Sequence, residues 1–409
     1  MIETFKNLII RKAYTERVQP YIGSHIIKIL TGQRRTGKSY ILYQLMEEIK
    51  KTGPDANLIY INTEFAEFRD IQDGRDLYEY VSARLQSGKA NYVFIDEIQE
   101  IAGFEQGMKS LFAEEKCDLY CTGSNAHLLS GELATYLAGR YIQIQVHPLS
   151  YSEFLVFHGL ENTLETLQKY LHIGGLPYMA SLAPLNRSEE LSQEYLRNIY
   201  ESILLRDVIA RENIRNIQFL ENLAAYAADN TGSLFSANNI SKYLKNQRVN
   251  MPVQTVITYL SALQKSFLVR KVSRIDIKGL KIFEIGEKYY FEDIGLRNIL
   301  VKNPLILDIA KVIENAVYNF LVQRDFTVYV GSLGGAEIDF VAEKLGTKLY
   351  VQVAFRISDE ETARREFGGL ERIDDNFPKY VVTLDDYLPA YSESGIRCVH
   401  LKDFLMMDL

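Results

Sequence analysis

The spacing of apolar positions alternates between two periods over the first 150 residues. HIIKILT (His25 to Thr31) is a short apolar run rich in β-branched residues, the pattern of a buried strand. YILYQLMEEIK (Tyr40 to Lys50) instead carries Ile41, Leu42, Leu45, Met46 and Ile49 at helical spacing. ANLIYINTEF (Ala56 to Phe65), NYVFIDEIQ (Asn91 to Gln99), CDLYCTGSNA (Cys117 to Ala126) and the run opened by Arg140 in LAGRYIQIQV read as further strands. This alternation predicts an α/β domain with a parallel sheet over 1–150.

The pattern then changes. Residues 151–235 read as helical, with Leu191, Tyr195, Ile199 and Ile203 on one stripe after a helix start at Ser188. Residues 236–304 predict a winged-helix-like module. Ser236 caps a short helix, Pro252 opens a second that carries Val256, Tyr259, Leu260 and Leu263, and two β-rich runs, FLVRKVSRI and LKIFEI, follow around DIKG. Residues 305–409 alternate helix and strand again.

Between the strand at 25–31 and the helix at 40–50 stands GQRRTGKS, Gly32 to Ser39, which fits G-x-x-x-x-G-K-[ST] in full. Glycines let backbone N–H groups turn inward around phosphate oxygens, and the helix N-terminus adds partial positive charge. Gly32, Gln33, Arg34, Arg35, Thr36, Gly37, Lys38, Ser39 and Tyr40 are therefore the candidate cradle for ATP. Lys38 would reach the β- and γ-phosphates, and Ser39 would ligate Mg²⁺. NYVFIDEIQ ends in two acids. Asp96 stands where a Mg²⁺-organising carboxylate belongs, and Glu97 follows to polarise the attacking water. Ser124 and Asn125 end another strand, where Asn125 would sense the γ-phosphate; Gly-Ser-Asn also favours a turn by itself. Arg140 would contact phosphate, in cis or across an oligomer, or pair with an acid at the strand edge.

Composition narrows the class. The 409 residues suggest two or three domains, and 47% hydrophobic with 24% charged residues argue against extensive disorder. No run of 18 apolar residues exists to span a membrane, and MIETFKNLIIRKAYTER lacks the features of a signal peptide. Cys117, Cys121 and Cys398 suit a reducing cytoplasm and make a poor zinc set. The net charge of −7 is uneven: residues 236–288 hold ten basic against three acidic side chains, a net +7. A basic winged helix is a candidate DNA-binding module through phosphate contacts, or else a surface that packs on another protein.

The order of GQRRTGKS, FIDEIQ, TGSNA, LAGRY and HPLSYSEF resembles prokaryotic AAA-type ATPases that carry a C-terminal domain of unknown function numbered 4143. GGLPYM (Gly174 to Met179), LLRDVIAR (Leu204 to Arg211), KYYFEDIGLRN (Lys288 to Asn298), IENAVYNFL (Ile313 to Leu321) and EIDFVAE (Glu337 to Glu343) extend the resemblance over nearly the whole chain. It implies a P-loop NTPase sheet, a helical lid in which Arg206 and Arg211 are candidate phosphate sensors, and a further α/β domain. That last domain resembles the restriction-endonuclease core, with Glu314, Asp339 and Gln352 as candidate Mg²⁺ ligands and Glu337 on the same strand face as Asp339. The third acid of such a site is here Gln352, and the lysine position is Ala354; Lys344 or Lys348 would have to substitute. The expected function is Mg²⁺-dependent ATP hydrolysis coupled to movement of a degenerate nuclease-like tail. The alternatives are a nucleotide-gated switch with negligible turnover and a DNA-processing nuclease. A homo-oligomer or protein partner stays open, and no membrane partner is expected.

Overall fold

Five strands carry the first unit: β1 (Ile27–Thr31), β2 (Asn57–Asn62), β3 (Asn91–Asp96), β4 (Asp118–Gly123) and β5 (Tyr141–Gln145). In the computed structural model they pair in parallel in the order β2-β3-β4-β1-β5. The structure describes residues 9–126, 137, 139–181, 188–246, 251–279, 282–301, 305–357, 359–385, 392 and 394–409. Contacts divide the chain into one unit of residues 1–147 with 265–267, and a second of 148–264 with 268–409.

Parallel strands need crossovers, and helices supply them here. Lys38–Thr52 links β1 to β2, Gly74–Ser82 lies between β2 and β3, and Phe104–Ala113 between β3 and β4. All five residues of the expected stripe, Ile41, Leu42, Leu45, Met46 and Ile49, are buried. They pack with Leu30, Phe94, Tyr120 and Ile144 on one face of the sheet, while Ile27, Ile29, Ile61, Val93, Ile95 and Leu119 join the cluster on the other. Alternate residues of each strand thus face opposite helical layers, which accounts for the near-continuous apolar runs.

The second unit begins with helices at Tyr151–His158, Leu164–Ile173 and Glu189–Ser202. The long helix expected after Ser188 starts there but widens into a π-helix over Ile203–Ala210. Its buried positions recur every four residues (Ile199, Ile203, Asp207 and Tyr200, Leu204, Val208).

A seven-stranded mixed sheet follows, built from β6 (Val269–Asp276), β7 (Ile282–Phe291), β8 (Thr327–Leu333), β9 (Ala336–Lys344), β10 (Thr347–Ala354), β11 (Lys379–Thr383) and β12 (Arg397–His400). Its order is β12-β11-β10-β9-β8-β6-β7. The expected hairpin exists, but it is not a free wing: β6 pairs antiparallel with β7 and parallel with β8. One sheet therefore runs across the boundary expected at 304/305. Part of the second β-rich run, residues 280 and 281, lies outside the described residues.

Two motifs far apart in sequence meet in this unit. An added Cβ on Gly175 would collide with the Leu149 carbonyl, and one on Gly174 with the Asp293 carboxylate. Asp293 accepts from the backbone N–H groups of Gly175 (2.8 Å) and Leu296 (2.9 Å), so it caps Ile294–Asn298 while anchoring the glycine pair. Burial pushes its carboxyl up to about 6, although these N–H groups favour the anion. A folded-state value above the unfolded one contributes stability fully below about pH 4, and that contribution is lost as pH rises through about 6. Asp293→Asn removes the titration and keeps an acceptor. Its stability relative to wild type should rise by on the order of 2–3 kcal/mol between pH 4 and pH 7. Urea midpoints of both proteins at several pH values check this, and parallel curves would exclude Asp293 as the titrating group.

Candidate functional site

The parallel register brings the C-terminal ends of β1, β3 and β4 to one edge of the sheet: Thr31 lies opposite Gly123, and Ile95 opposite Cys121. Gly32 leaves β1 with φ at +145°, and an added Cβ would collide with the Val146 carbonyl beside it. Arg35 (φ +69°) and Gly37 (φ +93°) take left-handed conformations, and Gly37 caps the Lys38–Thr52 helix. A loop of this shape curls around its own interior. Lys38 donates to the carbonyls of Gly32 and Gln33, each at 3.0 Å, and Thr36 donates to Gln33 at 2.9 Å. Gln33, Thr36 and Lys38 are buried; Arg34 reaches Glu64 at 3.0 Å, and Tyr40 is exposed, edge-on to Tyr43.

Asp96, at the end of β3, is buried and accepts from Thr122 (2.5 Å), Tyr60 (3.1 Å) and Asn62 (3.2 Å), with the Ser39 hydroxyl also bonded to it. Burial pushes its carboxyl up, against the pull of these donors. Glu97 follows in a left-handed conformation, φ +54°, which turns its side chain toward the loop. Its Oε1 lies 3.8 Å from Lys38 Nζ, and Gln99 donates to its Oε2. Burial would raise the Glu97 carboxyl, but Lys38, the Gln99 bond and Arg34 outweigh it and hold it below the usual range. The donor set suits a hard cation: a hydroxyl on Ser39 and a carboxylate on Asp96 meet beside the glycine loop.

Asn125 stands just past the end of β4, at the same edge and half-buried. Arg140 does not. Its carbonyl accepts from Ile27, at the start of β1, and its exposed guanidinium lies over the Phe112 ring. A five-residue strand separates it from the loop, ~16 Å along the sheet, so within one chain it stays apart from Lys38 and Asp96. Arg206 and Arg211 belong to the second unit, where Arg211 pairs with the buried Asp207 at 2.9 Å, the pairing that Asp207 at i−4 allows.

Four contributors escaped the sequence: Thr122, Tyr60, Asn62 and Arg11. Thr122 accepts the Glu97 N–H (2.9 Å) while donating to Asp96, and so ties both acids to β4. Its position two residues before Ser124 is the only hint in the sequence. Tyr60 and Asn62 share a face of β2 by the two-residue repeat, opposite Asp96. Arg11, from the Lys12–Val18 helix cap, is buried and donates to the carbonyls of Thr36 (2.9 Å) and His147 (3.0 Å). Nothing local to Arg11 marks it.

In the second unit Glu314, Glu337 and Asp339 do come together, but around Lys288. Lys348 pairs with Glu343, and Lys344 lies over the Phe326 ring, so neither substitutes for the missing lysine. Gln352 accepts from the Asp339 N–H and donates to Glu366, and Ala354 is buried. Burial would strip the Lys288 proton, but the three carboxylates outweigh it and keep the side chain charged. Among the described residues no group of three or more His, Cys, Asp or Glu is arranged to hold a metal ion, and none of the helices is long and apolar enough to cross a membrane.

Comparison with known proteins agrees with the geometry of the first unit. Residues 24–155 match the model of an AAA domain, and residues 164–305 match a domain of unknown function numbered 8612 rather than 4143. An uncharacterized protein of Haemophilus influenzae is 33% identical over 407 residues, covering 98% of this chain and 99% of that one. An uncharacterized protein of Methanocaldococcus jannaschii is 26% identical over 396 residues, 92% of this chain and 85% of its own. A Walker-type ATPase of Pyrococcus abyssi superposes with a TM-score of 0.51 at 15% identity, over 73% of this chain and 99% of that chain. The sheet and loop are the P-loop NTPase fold.

Arg11→Met keeps an apolar stem but leaves the Thr36 and His147 carbonyls without this donor, at a cost on the order of 1–3 kcal/mol for each. The thermal midpoint should fall, and affinity for a fluorescent ATP analogue should weaken about tenfold or more. Unchanged affinity would show that the loop keeps its shape without Arg11.

Proposed function

The chain belongs to the family of the Haemophilus influenzae protein, and from that premise we propose that it binds and hydrolyses ATP with Mg²⁺ in its AAA domain. One observation carries the reading: Lys38 and Ser39 meet Glu97 and Asp96 at one sheet edge, and Thr122 joins the two acids. Lys38 gives up the carbonyls of Gly32 and Gln33 for the β- and γ-phosphates. The backbone N–H groups of Gln33 to Ser39 receive the remaining phosphate oxygens. Ser39 and Asp96 hold Mg²⁺, which neutralises phosphate charge when bound. Glu97, kept ionised by Lys38, accepts a proton from the attacking water, and Gln99 orients its carboxylate. Asn125 contacts the γ-phosphate from the end of β4. Arg140 is left out of this set.

Glu97→Gln should lower turnover at least about 100-fold while ATP binding survives, because the amide cannot take the proton. Lys38→Ala should abolish both. Phosphate release and equilibrium binding on purified protein measure the two separately. Full turnover in Glu97→Gln would remove Glu97 from the mechanism.

A second reading is a nucleotide-gated switch with negligible turnover. It is supported by the engagement of the Glu97 carboxylate by Gln99 and Lys38. Repeated phosphate release per bound nucleotide excludes it. A DNA contact rests on fewer cations than the sequence count, because Lys288, Arg270 and Lys271 already pair with acids. Lys242, Lys245 and Lys278 are exposed, and a mobility shift that weakens steeply with salt would support them as phosphate contacts.

A further inference from the structure

The Lys288 cluster draws on four elements of the second unit. Lys288 extends from β7 and is almost fully buried. Its Nζ lies 3.0 Å from Glu314 Oε1 on the Leu305–Gln323 helix, 2.9 Å from Glu337 Oε1 and 3.4 Å from Asp339 Oδ1, both on β9. Tyr290, two residues on along β7, donates to Glu314 at 2.6 Å. The Val353 N–H on β10 donates to Asp339 Oδ2 at 2.9 Å. Gly232 closes one side, since a Cβ there would stand 2.8 Å from a Glu314 carboxylate oxygen. Glu337 is 35% exposed in its side chain and opens the cluster to water.

Two cations of different kinds suit three converging carboxylates, and the distances tell them apart. Oxygens 2.9–3.4 Å from one centre match an ammonium with its three N–H donors. Mg²⁺ and Ca²⁺ hold oxygens at about 2.0–2.6 Å. An ammonium carried on the chain is also present at a fixed, high effective concentration, so a free ion competes at a disadvantage.

We propose that Lys288 is a built-in cation that occupies a divalent-metal position formed by Glu314, Glu337 and Asp339, and that removing its charge opens that position to a divalent ion. In the native chain the cluster is a metal-independent anchor between the hairpin, the long helix and β9. The missing lysine at Ala354 and the neutral Gln352 then have one cause. With an internal cation at the three acids there is neither a metal to receive a further carboxylate at Gln352 nor a reaction for a strand lysine to support. This inference does not depend on the nucleotide site.

The test uses the full-length chain without nucleotide, in EDTA and in millimolar Mn²⁺ or Ca²⁺. Native protein should melt at the same temperature in all three. Lys288→Met should melt lower in EDTA and recover by several degrees in either ion, with one Mn²⁺ site in an electron paramagnetic resonance titration. Lys288→Met with Glu314→Gln should lose the response to ions. A Lys288→Met chain that folds only in Mn²⁺ or Ca²⁺ supports the proposal equally, and one that folds in neither counts against it. A stoichiometric Mn²⁺ site in the native protein that is lost in Glu314→Gln would overturn it. So would cleavage of supercoiled DNA by the native protein that is lost in Asp339→Asn.

Discussion

The hydrogen bond from Thr122 to Asp96 sits where three strands of the first unit end together. It exists because β1, β3 and β4 are parallel and in register, so that their C-terminal ends share one edge. The same hydroxyl accepts the Glu97 N–H and holds that residue in its left-handed turn. The two adjacent acids thereby separate in role. Asp96 stays inside the sheet edge among hydroxyl and amide donors, and Glu97 turns toward Lys38. Two buried carboxylates side by side would be costly without this division.

The loop after β1 depends on the same edge. Gly32 is compelled by the Val146 carbonyl, which lies next to it because β5 pairs with β1. Arg11 then fastens Thr36 and the chain end of the first unit with one guanidinium. The phosphate-binding shape is therefore supported from outside the motif, by groups far away in sequence.

Charge in the second unit follows a different logic. The excess of basic residues over 236–288 suggests an outward-facing surface, yet Lys288 and Arg270 turn inward to acids contributed by later segments. Local charge counts cannot register this, because the partners of Lys288 lie 26 to 51 positions further along the chain. The hairpin likewise looked like a wing because its partner strand, β8, comes only after a long helix.

Legibility therefore tracks range. The strand–loop–helix around GQRRTGKS, the stripe from Ile41 to Ile49, and the acids at the end of β3 were all readable, since periodicity and phosphate chemistry act over a few residues. The fold class of the first unit follows from them. Tertiary structure alone decided that Arg140 lies at the far end of its strand, that Thr122, Tyr60 and Asn62 surround Asp96, and that a lysine occupies the acids around Asp339. Each depends on strand order and register, which arise from packing the whole sheet and leave no trace in the spacing of one segment.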